Sequence, residues 1–67
     1  MFFLNFLTYR KRAGLTQMDV AKALGVSDAA VCQWEKGENM PSASRLVALA
    51  KLYDCTVDEL LREEAAG

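Results

Sequence analysis

The stretch Thr16–Gly37, TQMDVAKALGVSDAAVCQWEKG, limits what this chain can become more than any other. It carries two short helical patterns with one glycine between them. Thr16 and Asp19 have the S/T-x-x-D/E spacing of a capping box and open the first pattern, about residues 17–24. Val20, Ala21 and Leu24 share its inner face. Gly25 ends it, because glycine reaches positive φ without steric cost. Val26 anchors the turn, and Ser27 caps the second pattern, about residues 28–36. There the residues split into two arcs. Ala30, Val31, Trp34 and Glu35 form the core side; Asp28, Ala29, Cys32, Gln33 and Lys36 form the outer side. Ala21 must be small where the helices cross, and Val31 must be apolar to fill the angle between them.

The flanking segments read as supporting helices. The first spans residues 2–13, with Phe2, Phe3, Phe6, Leu7, Tyr9 and Ala13 on one side. Arg10 lies inside that apolar sector, as Glu35 lies at the edge of the apolar arc of residues 28–36. A guanidinium taken out of water needs a carboxylate, so an Arg10–Glu35 ion pair is expected. After the loop Glu38–Pro41, Ser42 caps a fourth helix at about 42–53, with Leu46, Leu49, Ala50 and Tyr53 inward. Asp54 closes it in a turn. Thr56 and Glu59 repeat the capping-box spacing and open a fifth helix at about 57–64, with Val57, Leu60 and Leu61 apolar. Residues 63–67 are expected to fray. The pattern predicts an all-α protein, a compact five-helix bundle forming a single domain over residues 1–67.

Composition narrows the function. With 52% hydrophobic and 25% charged residues the chain is not compositionally disordered. Its net charge of −1 argues against a generic polyanion binder. The charge is uneven, however: residues 1–36 hold five basic and three acidic side chains, residues 37–67 three basic and six acidic. Ordinary solvated charge explains this, and so does a protein that presents one face to nucleic acid. There is no histidine, and Cys32 and Cys55 lack metal-ligand spacing, so no metal or other cofactor is expected. No nucleophile–base pair or glycine-rich phosphate loop suggests an enzyme. MFFLNFL makes a poor signal peptide and is too short to span a membrane, which points to the cytoplasm.

LTQMDVAKALGVSDAAVCQWEKG, then a proline, then LVALAKLYDCTVDELL, resembles the phage Cro- and repressor-like, XRE-type helix-turn-helix family. The resemblance runs from about Phe6 to Leu61 and implies a lambda repressor-like DNA-binding domain. It implies that Gln17 bonds a DNA phosphate and that residues 28–36 enter the major groove. It also implies the Arg10–Glu35 pair that the helical wheel suggests. The chain departs from the family in having Asp54 where glycine is frequent, Asp28 where phage members often have glutamine, and no cation in Glu38–Met40.

On that footing the base-reading candidates are Asp28, Ala29, Cys32 and Gln33. Gln33 can bond adenine N6 and N7, Ala29 can meet a thymine methyl, and Asp28 can accept from cytosine N4. Asp28 equally complements a positive helix N-terminus; Ala29 equally propagates the helix; Cys32 is a small spacer or a redox-sensitive thiol. Gln17, Lys22, Lys36, Asn39 and Arg12 are the phosphate candidates, setting register and salt dependence rather than sequence. Lys11, like Arg12, points off the core face and has the same reach. Trp34 and Cys55 read as core. The expected function is a sequence-specific, double-stranded DNA-binding transcriptional regulator. It is expected to act as a homodimer on a palindromic operator, with Met40, Val57 and Leu61, or Leu4 and Leu7, as dimer patch. The alternative is a protein-interaction module on the same fold, antitoxin-like or anti-repressor-like.

Overall fold

The computed structural model describes residues 5–62. The helices are α1 (Phe6–Arg12), α2 (Gln17–Leu24), α3 (Asp28–Lys36), α4 (Ala43–Leu52) and α5 (Val57–Leu61). Among the described residues there is no strand. The fold is the expected all-α bundle, and each helix contributes to one core. Phe6, Val20, Ala21, Val31, Trp34, Leu49, Ala50, Tyr53 and Leu60 are all buried, with Trp34 at 6% exposure. Leu15, Leu24, Val26, Leu46 and Cys55 pack against them half-buried.

Local chemistry sets the helix ends. Thr16 Oγ1 accepts from the Asp19 N–H at 3.0 Å and Asp19 Oδ2 accepts from the Thr16 N–H at 2.9 Å, so both halves of the box at the start of α2 are made. Thr56 and Glu59 do the same for α5. Ser27 Oγ accepts from Ala30 N–H at 3.2 Å and opens α3. Gly25 at φ 70° ends α2, and its N–H bonds the Ala21 carbonyl. That left-handed residue lets α3 begin three positions later, at an angle that seats Val31 and Trp34 in the core.

Three expectations about boundaries need correction. Of the expected helix 2–13, the described part of α1 runs Phe6–Arg12, with Asn5 its N-cap and Ala13 its C-cap; residues 2–4 lie outside the described residues. Helix α4 begins at Ala43, and Ser42 stands at its N-cap without a side-chain bond to the backbone. The Ser42 hydroxyl instead lies 3.3 Å from that of Ser44. Helix α5 stops at Leu61 because Arg62 is extended, at ψ 129°. The expected fray at 63–67 falls outside the described residues.

The first and last described helices are stitched together. Asn5 N–H donates to the Leu60 carbonyl at 3.2 Å and Asn5 Nδ2 to the Glu59 carbonyl at 3.1 Å. Tyr9 Oη donates to Glu59 Oε2 at 3.1 Å. The outer arc of α3 stays uncovered by the other helices.

Candidate nucleic-acid interface

Helix α3 turns Val31 and Trp34 inward, so 3.6-residue periodicity puts Asp28, Ala29, Gln33 and Lys36 outside. All four are exposed and Cys32 is half-buried. The side chains around this face are held by a polar network beneath it. Arg10 Nε donates to Glu35 Oε2 at 2.6 Å and Nη2 to Glu35 Oε1 at 3.2 Å. The two side chains are 12% and 6% exposed, so the pair ties α1 to α3 largely out of water. Arg10 Nη1 also donates to the Leu15 carbonyl at 2.9 Å. The hydrogen bond to Glu35 raises the Arg10 pKa above its ordinary value, and the guanidinium stays charged.

Gln17 joins the same network. Its Nε2 donates to Glu35 Oε1 at 2.9 Å, which fixes the amide at the first turn of α2. Leu7, Arg10, Lys11, Gln17, Cys32, Glu35 and Lys36 line one open cleft of about 420 Å³. Lys11 and Lys36 therefore flank Gln17 and Cys32 from two helices, a cationic margin on one side of the α3 face.

The other side is built by the loop after α3. Gly37, at φ 78°, reverses the chain. Asn39 then comes back beside Gln33, and Asn39 Nδ2 donates to Gln33 Oε1 at 2.8 Å. Gln33, Asn39, Met40, Ser27, Ser42 and Arg45 share a second open groove. Arg45 is a cation at this groove that the sequence pattern does not place there. Glu38–Met40 has no cation of its own, but the first turn of α4 brings one to it. The only sequence signal was a lone arginine shortly after the Pro41–Ser42 helix start.

The remaining candidates separate. Arg12 stacks over the Tyr9 ring, 5.4 Å from its centroid. It lines a cleft with Tyr9, Ala13, Leu52, Tyr53 and Asp54, to which α3 contributes nothing. Lys22 is exposed in the last turn of α2 and lines neither of the two grooves at α3. Of the expected dimer residues, Met40 (55% exposed) sits in the groove by Gln33, whereas Val57 and Leu61 pack partly against the core. Leu7 is 40% exposed beside Arg10; Leu4 lies outside the described residues. Among the described residues no helix is long and apolar enough to cross a membrane.

Two short helices joined at a left-handed glycine, the second with its outer arc open between cationic margins, define a helix-turn-helix protein. The chain belongs to the helix-turn-helix family, whose model matches residues 7–60. It is 40% identical over 53 residues to Repressor protein C2 of Salmonella phage P22, covering 79% of this chain and 24% of that protein. It is 43% identical over 47 residues to the HTH-type transcriptional regulator DicA of Escherichia coli K12, covering 70% of this chain and 35% of DicA. The chain thus spans about a quarter to a third of these relatives. The uncharacterized HTH-type transcriptional regulator YazB of Bacillus subtilis is nearer in size: 38% identical over 56 residues, 84% of this chain and 81% of YazB. Among solved structures, the P22 c2 repressor in complex with synthetic operator 9T superposes with a TM-score of 0.80 at 36% identity. That match covers 87% of this chain and 88% of the repressor chain.

Proposed function

We propose that this chain is a double-stranded DNA-binding transcriptional regulator that reads sequence with α3 in the major groove. One observation carries the reading: the outer arc of α3 is uncovered and lies between Lys11 and Lys36 on one side and Arg45 on the other. A groove-inserted helix needs base-reaching side chains along its centre and phosphate-reaching groups at its margins. Asp28, Ala29, Cys32 and Gln33 are the base-reading set in this proposal. Gln17, Lys36 and Asn39 contact phosphates, joined by Lys11 and Arg45; Lys22 and Arg12 are peripheral. The family and its repressor relatives support the reading. We further propose that it acts as a homodimer on a palindromic operator, in the cytoplasm and without catalysis, because a single unit offers limited contact area.

Selection of duplexes from a random pool tests this. A palindromic motif whose affinity falls steeply with salt is the expected result. An absence of duplex binding at low salt would overturn it and leave the protein-interaction module as the reading.

A further inference from the structure

The cleft between the ends of α1 and α4 lies apart from the outer arc of α3. It holds about 370 Å³ and is lined by Tyr9, Arg12, Ala13, Leu52, Tyr53 and Asp54. Two unpaired charges of opposite sign line it. Among the described residues neither Arg12 nor Asp54 forms an ion pair or a side-chain hydrogen bond. Arg12 lies over the Tyr9 ring, 5.4 Å from its centroid. A guanidinium stacked in this way keeps its N–H donors in its own plane, free for a carboxylate.

The rest of the lining supplies acceptors and a hydroxyl. Ala13 and Tyr53 are the C-caps of α1 and α4, so both helices end at the cleft. The carbonyls of Arg12, Ala13, Leu52 and Tyr53 accept no hydrogen bond among the described residues, as the last carbonyls of a helix have no partner within it. Tyr53 is 5% exposed, and its hydroxyl has no partner among those residues either. A simple anion placed here meets the like charge of Asp54, and a simple cation meets that of Arg12. A molecule that carries both charges satisfies both groups. We propose that this cleft binds a free amino acid, its carboxylate on the Arg12 guanidinium and its ammonium on Asp54 and the free carbonyls at the helix ends. Leu52 and the Ala13 methyl give its side chain an apolar wall. Helix α3 contributes nothing to this cleft, so occupancy leaves the proposed DNA-reading arc open.

The test is a titration of the isotope-labelled full chain with each common L-amino acid singly, read in amide NMR spectra. Acetate and methylammonium, which carry one of the two charges each, are the controls. The expected result is a saturable shift with at least one amino acid, centred on the amides of Ala13, Gly14, Asp54 and Cys55. Either control should bind about tenfold more weakly, and Arg12→Ala and Asp54→Asn should each weaken the amino acid by about tenfold, as loss of a hydrogen bond to a charged group does. Circular dichroism checks that both variants fold, and asparagine tolerates the left-handed conformation of residue 54. No saturable shift with any amino acid overturns the inference. So does acetate binding as tightly as the amino acid, and so does an affinity unchanged in both variants. Each of these outcomes leaves the proposed DNA reading standing, because that reading rests on the other face.

Discussion

Arg10 and Glu35 meet through two parallel hydrogen bonds, of 2.6 and 3.2 Å, across the junction of α1 and α3. The same Glu35 oxygen that accepts from Arg10 Nη2 also accepts from Gln17, so three helices converge on one carboxylate. Removing one member of such a pair strands the other. Arg10→Met should therefore destabilise the fold by about 3 kcal/mol, and Glu35→Gln by a similar amount. The double variant Arg10→Met/Glu35→Leu should recover most of the loss, because both charges go together. Urea unfolding of the two single variants and the double variant measures the coupling. A single Arg10→Met variant more stable than the parent would contradict the structural role given to the pair.

Acid should weaken the fold through its two capping boxes. The Thr16 backbone N–H and hydroxyl hold the Asp19 carboxyl below its ordinary pKa, and the Thr56 backbone and hydroxyl, with the Tyr9 phenol, do so for Glu59. A depressed carboxylate binds fewer protons folded than unfolded, so its stabilisation is complete above the unfolded pKa, about 4. It is lost as pH falls through the lower folded value. Thermal midpoints should be flat from pH 7 to about pH 5 and then fall. Asp19→Asn and Glu59→Gln should each flatten that acid limb, and an unchanged limb in both would contradict this.

The turn after α4 is made by Asp54 at φ 55°, the only non-glycine residue at positive φ among those described. An L-residue with a Cβ is strained there by roughly 1 kcal/mol relative to glycine. Asp54→Gly should raise stability by about 0.5–1 kcal/mol and Asp54→Val should lower it by more than 1 kcal/mol. Equal thermal midpoints for the parent and both variants would argue against strain at this position.

Salt dependence should sort the cations. Lys11→Ala, Lys36→Ala and Arg45→Ala should each reduce the slope of log affinity against log salt by about one and weaken binding evenly across sequences. Arg12→Ala should leave the slope unchanged, because Arg12 is spent on the Tyr9 ring away from α3. Fluorescence anisotropy with labelled duplex across a potassium chloride series reads this. A slope change for Arg12→Ala as large as for Lys36→Ala would place the DNA elsewhere on the surface.

Much of this architecture was legible in the sequence because it is written in local chemistry. Thr16 with Asp19, Thr56 with Glu59, Ser27 and Gly25 specify helix ends within a few residues of themselves. Arg10 and Glu35 were readable as a pair for a different reason: each is a lone charge in an apolar arc. Lys11 and Arg12 were not separable, since a helical wheel shows only that both leave the core face of α1. What separates them is which neighbour packs where, with α3 beside Lys11 and Tyr9 with the end of α4 beside Arg12. Arg45 was hidden for the same reason, because Gln33 and Asn39, with which it lines one groove, belong to another helix and a loop. Ser42 shows the limit of local rules: the right residue at the right position turns its hydroxyl to Ser44.

The bonds from Asn5 to the carbonyls of Glu59 and Leu60 join residues 54 and 55 positions apart. Such a closure carries a large loop entropy and is made only when the helices between are in place. Helix α5, five residues long, cannot persist alone. Yet its Leu60 fills the core that Val31 and Trp34 of α3 also need. Helix α3 therefore cannot be lifted out as an autonomous peptide. Its shape exists only while the two sequence-distant helices clasp each other, so a lesion at Asn5, remote from any proposed DNA contact, should register as weakened DNA binding through loss of the fold.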